Sequence, residues 1–122
     1  MRPRILFVDD EPTIGEVVSD YFTKKGYEVV VVRTGSQAMA VADHTSFQLV
    51  IMDINLAGEN GLELLGFFKS NFPKVPVLMF TGLEGDDDLL EKAMFRGANG
   101  FMRKNDPLDN LFAAVKSYIR PG

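Results

Sequence analysis

Apolar and polar residues follow two rhythms along this chain. Five short runs are almost wholly apolar or β-branched: "RILFV" (4–8), "YEVVVV" (27–32), "FQLVIM" (47–52), "VPVLMF" (75–80) and "GFMR" (100–103). Short runs without a polar face predict strands that are covered on both sides. Between them the spacing is helical. Ile14, Val17, Val18, Tyr21 and Phe22 recur at intervals of three and four, and Gly26 follows where a closing glycine belongs. Ala38, Ala40, Val41 and Ala42 mark a second helix of small residues. Leu62, Leu64, Leu65, Phe67 and Phe68 mark a third, ended before Pro73. Leu89, Leu90, Ala93 and Met94 mark a fourth, closed by Gly97. Leu108, Leu111, Phe112, Val115, Tyr118 and Ile119 mark a fifth, with Asp106 as N-cap and Pro107 in its first turn.

Strict alternation of five strands and five helices predicts an α/β fold. Right-handed crossovers then give a doubly wound parallel sheet, and five strands favour the flavodoxin-like order 2-1-3-4-5. No linker, repeat or low-complexity segment interrupts the pattern. The acidic run "GDDD" (85–88) reads as a solvated helix start, where the helix dipole favours negative charge.

Composition narrows the chemistry. A chain of 122 residues suits one domain with one real core, and 46% apolar residues exclude disorder. There is no cysteine and only one histidine, His44, so disulfide frameworks, thiolate metal sites and multi-histidine zinc sites are excluded. A net charge of −4 argues against broad nucleic-acid binding. No apolar run approaches a membrane span, and the first residues meet carboxylates too soon for a signal peptide. The expected compartment is the cytoplasm, with neither nucleic acid nor membrane as a direct partner.

In open α/β sheets, ligands bind beyond the C-terminal strand ends, where strand order reverses. The predicted first strand ends at Asp9 and Asp10, the third at Asp53, the fourth at Thr81 and the fifth at Lys104. Neighbouring strands lie about 5 Å apart, so Asp9, Asp10 and Asp53 must share a small space. Carboxylates so placed repel one another, and a hard divalent cation removes the conflict. Oxygen ligands without sulfur or histidine suit Mg²⁺ or Mn²⁺. Thr81 can donate to a phosphoryl oxygen, and Lys104 offers a positive charge suited to phosphate. Asp53, between the metal side and the Thr81/Lys104 side, is then the natural nucleophile, forming an aspartyl-phosphate. The plainer reading of Asp9, Asp10 and Glu11 as loop and N-cap residues explains each alone, but not the whole set at successive strand ends.

Across its whole length the sequence resembles the receiver domain of two-component response regulators. "VDDEP" resembles the family's acidic pair, "VIMDINLAGENGLELL" its phosphoacceptor strand and loop, "VLMFTG" its switch hydroxyl, and "GANGFMRK" its essential lysine. The resemblance implies that Asp53 accepts a phosphoryl group from a sensor histidine kinase or phosphotransfer protein. Asp10 would bind Mg²⁺ directly, Asp9 directly or through water, and the backbone carbonyl of Asn55 would add a ligand. Thr81 and Lys104 would hold the phosphoryl oxygens. Phe101 stands at the family's rotating switch aromatic; read without the family it is a core aromatic. Phosphorylation would draw in Thr81, turn Phe101 inward and reshape the surface of the fourth helix, fifth strand and fifth helix. That switch would regulate an output domain or a downstream protein.

The chain also departs from the family. Asn105 follows Lys104 where a proline after a cis bond is usual, so either a strained cis peptide or a different approach of Lys104 is expected. Ala57 and Asn60 replace a proline and an aspartate in the loop after the acceptor, and Gly82 replaces an alanine. Leu83, two residues beyond Thr81, would slow hydrolysis by crowding the path of water. The domain would catalyse its own phosphorylation and dephosphorylation and turn over no metabolite. A haloacid-dehalogenase-type phosphohydrolase would need a DxD motif, which "DDEP" lacks. A flavodoxin would not place a tri-acidic loop against FMN phosphate. A phosphate-independent interaction module remains the third class. Pro121 and Gly122 suit either a stand-alone domain over 1–122 or the start of a linker to an output domain. A homodimer through the fourth helix, fifth strand and fifth helix would draw on Asp86–Asp88, Arg96, Arg103, Lys116 and Arg120.

Overall fold

The computed structural model describes residues 2–56, 61–82 and 87–121. Ala57, Asn60, Leu83, Gly85, Asp86 and Gly122, singled out above, lie outside them. The elements alternate as expected: β1 (Arg4–Val8), α1 (Pro12–Lys24), β2 (Glu28–Val32), α2 (Gly35–Ala42), β3 (Leu49–Asp53), α3 (Gly61–Asn71), β4 (Val77–Thr81), α4 (Asp87–Phe95), β5 (Gly100–Arg103) and α5 (Leu108–Tyr118). All pairings are parallel and the sheet order is β2-β1-β3-β4-β5, as the alternation predicts.

Apolar strands have a physical cause here. Successive side chains of a strand point to opposite faces, and both faces of this sheet carry helices. Ile5, Phe7, Leu49, Ile51, Leu78 and Phe80 pack with Val18 and Phe22 of α1 and Leu111 and Val115 of α5. Leu6, Val8, Val50, Met52, Val77 and Met79 pack on the other face with residues of α2, α3 and α4, Leu65 and Phe68 among them. The central strands β3 and β4 are buried along their whole length, while the edge strands β2 and β5 are only partly covered.

Helices α1 and α4 close in the same way. Gly26 and Gly97 take φ of +99° and +106°. Around them Tyr27 N–H donates to Phe22 O and Ala98 N–H to Ala93 O, each at 3.0 Å, which satisfies carbonyls left over at the helix end.

Several boundaries differ from the sequence reading. Phe47 precedes β3 and instead stacks against Phe68 and Phe72, so the strand begins at Leu49 and runs on through Asp53. The N-cap of α5 is Pro107, not Asp106, because Pro107 holds an extended ψ of 143° and its carbonyl accepts the first turn's bond from Asn110. Ile119 is that helix's C-cap. Val17 is exposed, lining an open groove with Tyr21 and Leu108 rather than joining the core. Phe101 is not a core residue: on edge strand β5 it is 44% exposed.

Candidate functional site

The C-terminal ends of β1, β3, β4 and β5 converge on one acidic pocket. Asp9 follows β1 directly, and its amide donates to Val32 O at 3.1 Å, which extends the β1–β2 ladder by one bond. Its carboxylate turns back on the chain: Oδ1 accepts the Glu11 amide at 3.0 Å. Asp53, the last residue of β3, repeats this local fold, with Oδ1 accepting the Asn55 amide at 3.0 Å. Short aspartate side chains favour such bonds to the amide two residues on. Each bond points one oxygen at the backbone and leaves the other for the pocket. Gly61, opening α3, presses against the same strand end: a Cβ there would lie 2.4 Å from the Ile54 carbonyl oxygen.

Asp9 and Asp53 are buried and Asp10 is half-buried, and all three offer oxygens within 4.8 Å of one another. Lys104 enters from β5. Its amide donates to Thr81 O at 2.8 Å, one bond beyond the β4–β5 ladder. Its ammonium then lies 2.9 Å from Asp53 Oδ2, 3.0 Å from Asp9 Oδ2 and 3.0 Å from Glu11 Oε1. No described peptide bond is cis, so Lys104 reaches the carboxylates with Asn105 behind it in trans. Of the two expectations for Asn105, the strained bond is absent.

Burial pushes the Asp9 and Asp53 carboxyls above the ordinary value of 3.8, against the opposing pull of the backbone amides and Lys104. Burial works to lower the Lys104 ammonium, but Asp53, Asp9 and Glu11 outweigh it and hold it above the usual lysine value. One atom stays unsatisfied. Asp9 Oδ2 is buried and accepts no aligned hydrogen bond, although the ammonium is at ion-pair distance. An orphaned carboxylate oxygen beside two further carboxylates and no softer ligand fits a hard divalent cation such as Mg²⁺.

Thr81 is fully buried, and its hydroxyl donates to the Gly82 carbonyl at 2.8 Å. Phe101 is paired in register with Met79, two residues before Thr81, and its ring faces outward with the Arg103 guanidinium 5.9 Å away. Arg103 and Asp87 pair within the chain at 3.5 Å. The structure therefore brings together Asp9, Asp10, Asp53 and Lys104, with Thr81 at the adjoining strand end. The backbone of Asn55 is fixed beside Asp53. Sequence reasoning offered Glu11 only as a loop or N-cap residue, and it is the N-cap of α1; its contact with Lys104 was missed, and the signal was its place as the third acid of "VDDEP", at the same C-terminal edge of the sheet as Lys104.

The chain matches the family model described as response regulator receiver domain over residues 5–116. It is 35% identical over 104 residues to the response regulator protein FleR of Pseudomonas aeruginosa, covering 85% of this chain and 22% of that one. It is 29% identical over 119 residues to sporulation initiation phosphotransferase F of Bacillus subtilis, covering 98% of this chain and 95% of that one. Among solved structures, the response regulator protein TrrA of Thermotoga maritima in complex with Mg²⁺-BeF superposes with a TM-score of 0.85 at 27% identity, covering 96% of this chain and 99% of that one. The chain spans only part of some relatives, such as 22% of FleR and 38% of the transcriptional activator PfeR. Fold, strand-end chemistry and relatives agree: this chain belongs to the receiver domains of two-component response regulators.

Proposed function

We propose that this domain accepts a phosphoryl group on Asp53 from a sensor histidine kinase or phosphotransfer protein, and that the acylphosphate switches an output domain or downstream partner. Receiver domains as a family do this kind of work: they meet histidine kinases or phosphotransfer proteins, bind Mg²⁺ at an acidic pocket and control outputs. The observation that carries the reading for this chain is the buried Asp53 carboxylate, 2.9 Å from Lys104 and grouped with Asp9 and Asp10.

In the proposed reaction an Asp53 oxygen attacks phosphorus. The oxygen–phosphorus bond forms as the phosphorus–nitrogen bond to the donor histidine breaks, and the imidazole takes up a proton from solvent. Asp9, Asp10, Asp53 and the Asn55 carbonyl would hold Mg²⁺, or Mn²⁺ as a substitute, which when bound offsets the charge between carboxylate and anionic donor. Lys104 neutralises a phosphoryl oxygen. Thr81 exchanges its bond to Gly82 for one to the phosphoryl group. Movement of Thr81 gives Phe101 room to turn from its exposed position, changing the α4–β5–α5 surface. That surface is also where a homodimer would form. The domain acts on itself rather than on a metabolite, and its place is the cytoplasm, where phosphorylated kinases are made. Among the described residues, no helix is long and apolar enough to cross a membrane.

Intact-mass spectrometry after incubation with Mg²⁺ and acetyl phosphate tests the reading. One phosphoryl group on the wild type, absent from Asp53→Ala and from an EDTA control, is expected. If neither a mass adduct nor binding of beryllium fluoride with Mg²⁺ is found, the domain is a phosphate-independent interaction module instead.

A further inference from the structure

The Lys104 ammonium touches two of the carboxylates that would bind a divalent ion, Asp9 at 3.0 Å and Asp53 at 2.9 Å. An ammonium and a metal ion compete for those oxygens, because neither cation tolerates the other at contact distance. The third carboxylate on Lys104 differs. Glu11 Oε1, at 3.0 Å, is outside the group of Asp9, Asp10 and Asp53. The Glu11 side chain is 58% exposed, against 13% for Lys104 and 0% for Asp9, so it stands on the solvent side of the ammonium. It is also free of the usual duty of its position. Glu11 is the N-cap of α1, yet its side chain makes no capping bond, and its carboxylate contacts Lys104 instead.

We propose that Glu11 is a positioning residue for Lys104: it holds the ammonium when a divalent ion takes Asp9 and Asp53, and so makes those two carboxylates available to the ion. The inference rests on the reading under Proposed function that Asp9, Asp10 and Asp53 form the metal site. Its physical basis is the difference between the partners. Asp9 and Asp53 are fixed by strand ends and by bonds to backbone amides, so they cannot follow a moving lysine. Glu11, longer and more exposed, can. Without the Glu11 charge, displaced Lys104 loses the one exposed carboxylate that it already touches at 3.0 Å, and it competes harder for Asp9 and Asp53.

A simpler account would have the Glu11 charge attract the ion directly. A double-mutant cycle separates the two. Mg²⁺ alone is titrated calorimetrically into wild type, Glu11→Gln, Lys104→Met and the double variant. Glu11→Gln is expected to weaken Mg²⁺ binding about five-fold when Lys104 is present, and by less than about two-fold in the Lys104→Met background. Equal weakening in both backgrounds overturns the inference alone. Wild type that binds no Mg²⁺ overturns the metal-site reading and this inference with it. A crystal structure of the Mg²⁺-loaded wild type gives a check that needs no variant. Lys104 off Asp9 and still on Glu11 supports the proposal; Lys104 on Asp9, or parted from Glu11, overturns it.

Discussion

Lys104 and Asp53 meet at 2.9 Å across a separation of 51 residues, and this contact joins the two halves of the pocket. Removing the ammonium leaves Asp9 and Asp53 buried with no described cation between them. For Lys104→Met in EDTA, a loss of about 3 kcal/mol of folding stability is expected, since leaving buried charge uncompensated costs about that much. Added Mg²⁺ should stabilise this variant more than it stabilises wild type. Urea unfolding with and without Mg²⁺ measures both, and a variant as stable as wild type in EDTA would refute the cation's structural role.

Gly61 is expected to tolerate no side chain. The Cβ of Gly61→Ala would meet the Ile54 carbonyl oxygen at 2.4 Å, and a backbone atom cannot swing aside. Either α3 or the end of β3 must shift. A loss of about 2 kcal/mol is expected, together with slower phosphorylation of the adjacent Asp53. Gly66→Ala, which meets nothing within 4 Å, is the control and should be neutral or better.

Thr81→Val keeps the shape of a fully buried side chain and removes its hydroxyl. The lost bond to Gly82 should cost about 1 kcal/mol. If Thr81 holds the phosphoryl group, this variant still gains mass from acetyl phosphate but holds beryllium fluoride more weakly than wild type. Equal affinity would remove Thr81 from the proposed switch.

Tyr21 donates its phenol to Asp109, tying α1 to α5, with Lys25 5.3 Å above the ring. Burial and the Asp109 carboxylate push the phenol from 10.0 up to about 12. The folded state therefore holds a proton that the unfolded chain releases near 10.0, so this contribution is complete below that pH and is lost as pH rises to about 12. An absorbance titration of tyrosinate should show late ionisation from both Tyr21 and the buried Tyr27, and Tyr21→Phe should remove the Tyr21 part of it while leaving the Tyr27 part. A Tyr21 that ionises near 10.0 in the folded protein would contradict the contact.

Phe101 should report the switch. Its exposed ring predicts a small stability change for Phe101→Ala, under about 1 kcal/mol, because little apolar area is lost. Fluorophenylalanine at this position should show one solvent-exposed NMR signal that moves to a buried one on adding Mg²⁺ and beryllium fluoride. An unmoved signal would take Phe101 out of the mechanism.

Much of this was legible because both faces of the sheet are covered. That cover forces the central strands to be apolar along their whole length, so each polar residue ending such a run stands out. Asp9, Asp53 and Thr81 were found in this way. The edge strands were read less well: the same apolar pattern in "GFMR" said nothing of the open side on which Phe101 lies. The cap of α5 was misplaced because Asp106 is the better capping side chain, while the fixed φ and extended ψ of Pro107 decide where the helix begins. The Glu11–Lys104 contact, 93 residues apart, follows from Lys104 standing one residue past the matched ends of β4 and β5, and no local pattern encodes that.

Because Lys104 lies among the acidic side chains at the pocket, the folded chain carries its own counter-charge from the moment of synthesis. When the metal is absent, the two buried carboxylates therefore face an internal cation instead of only each other. On the proposed reading, magnesium then bears on how readily Asp53 accepts a phosphoryl group more than on whether the pocket keeps its shape.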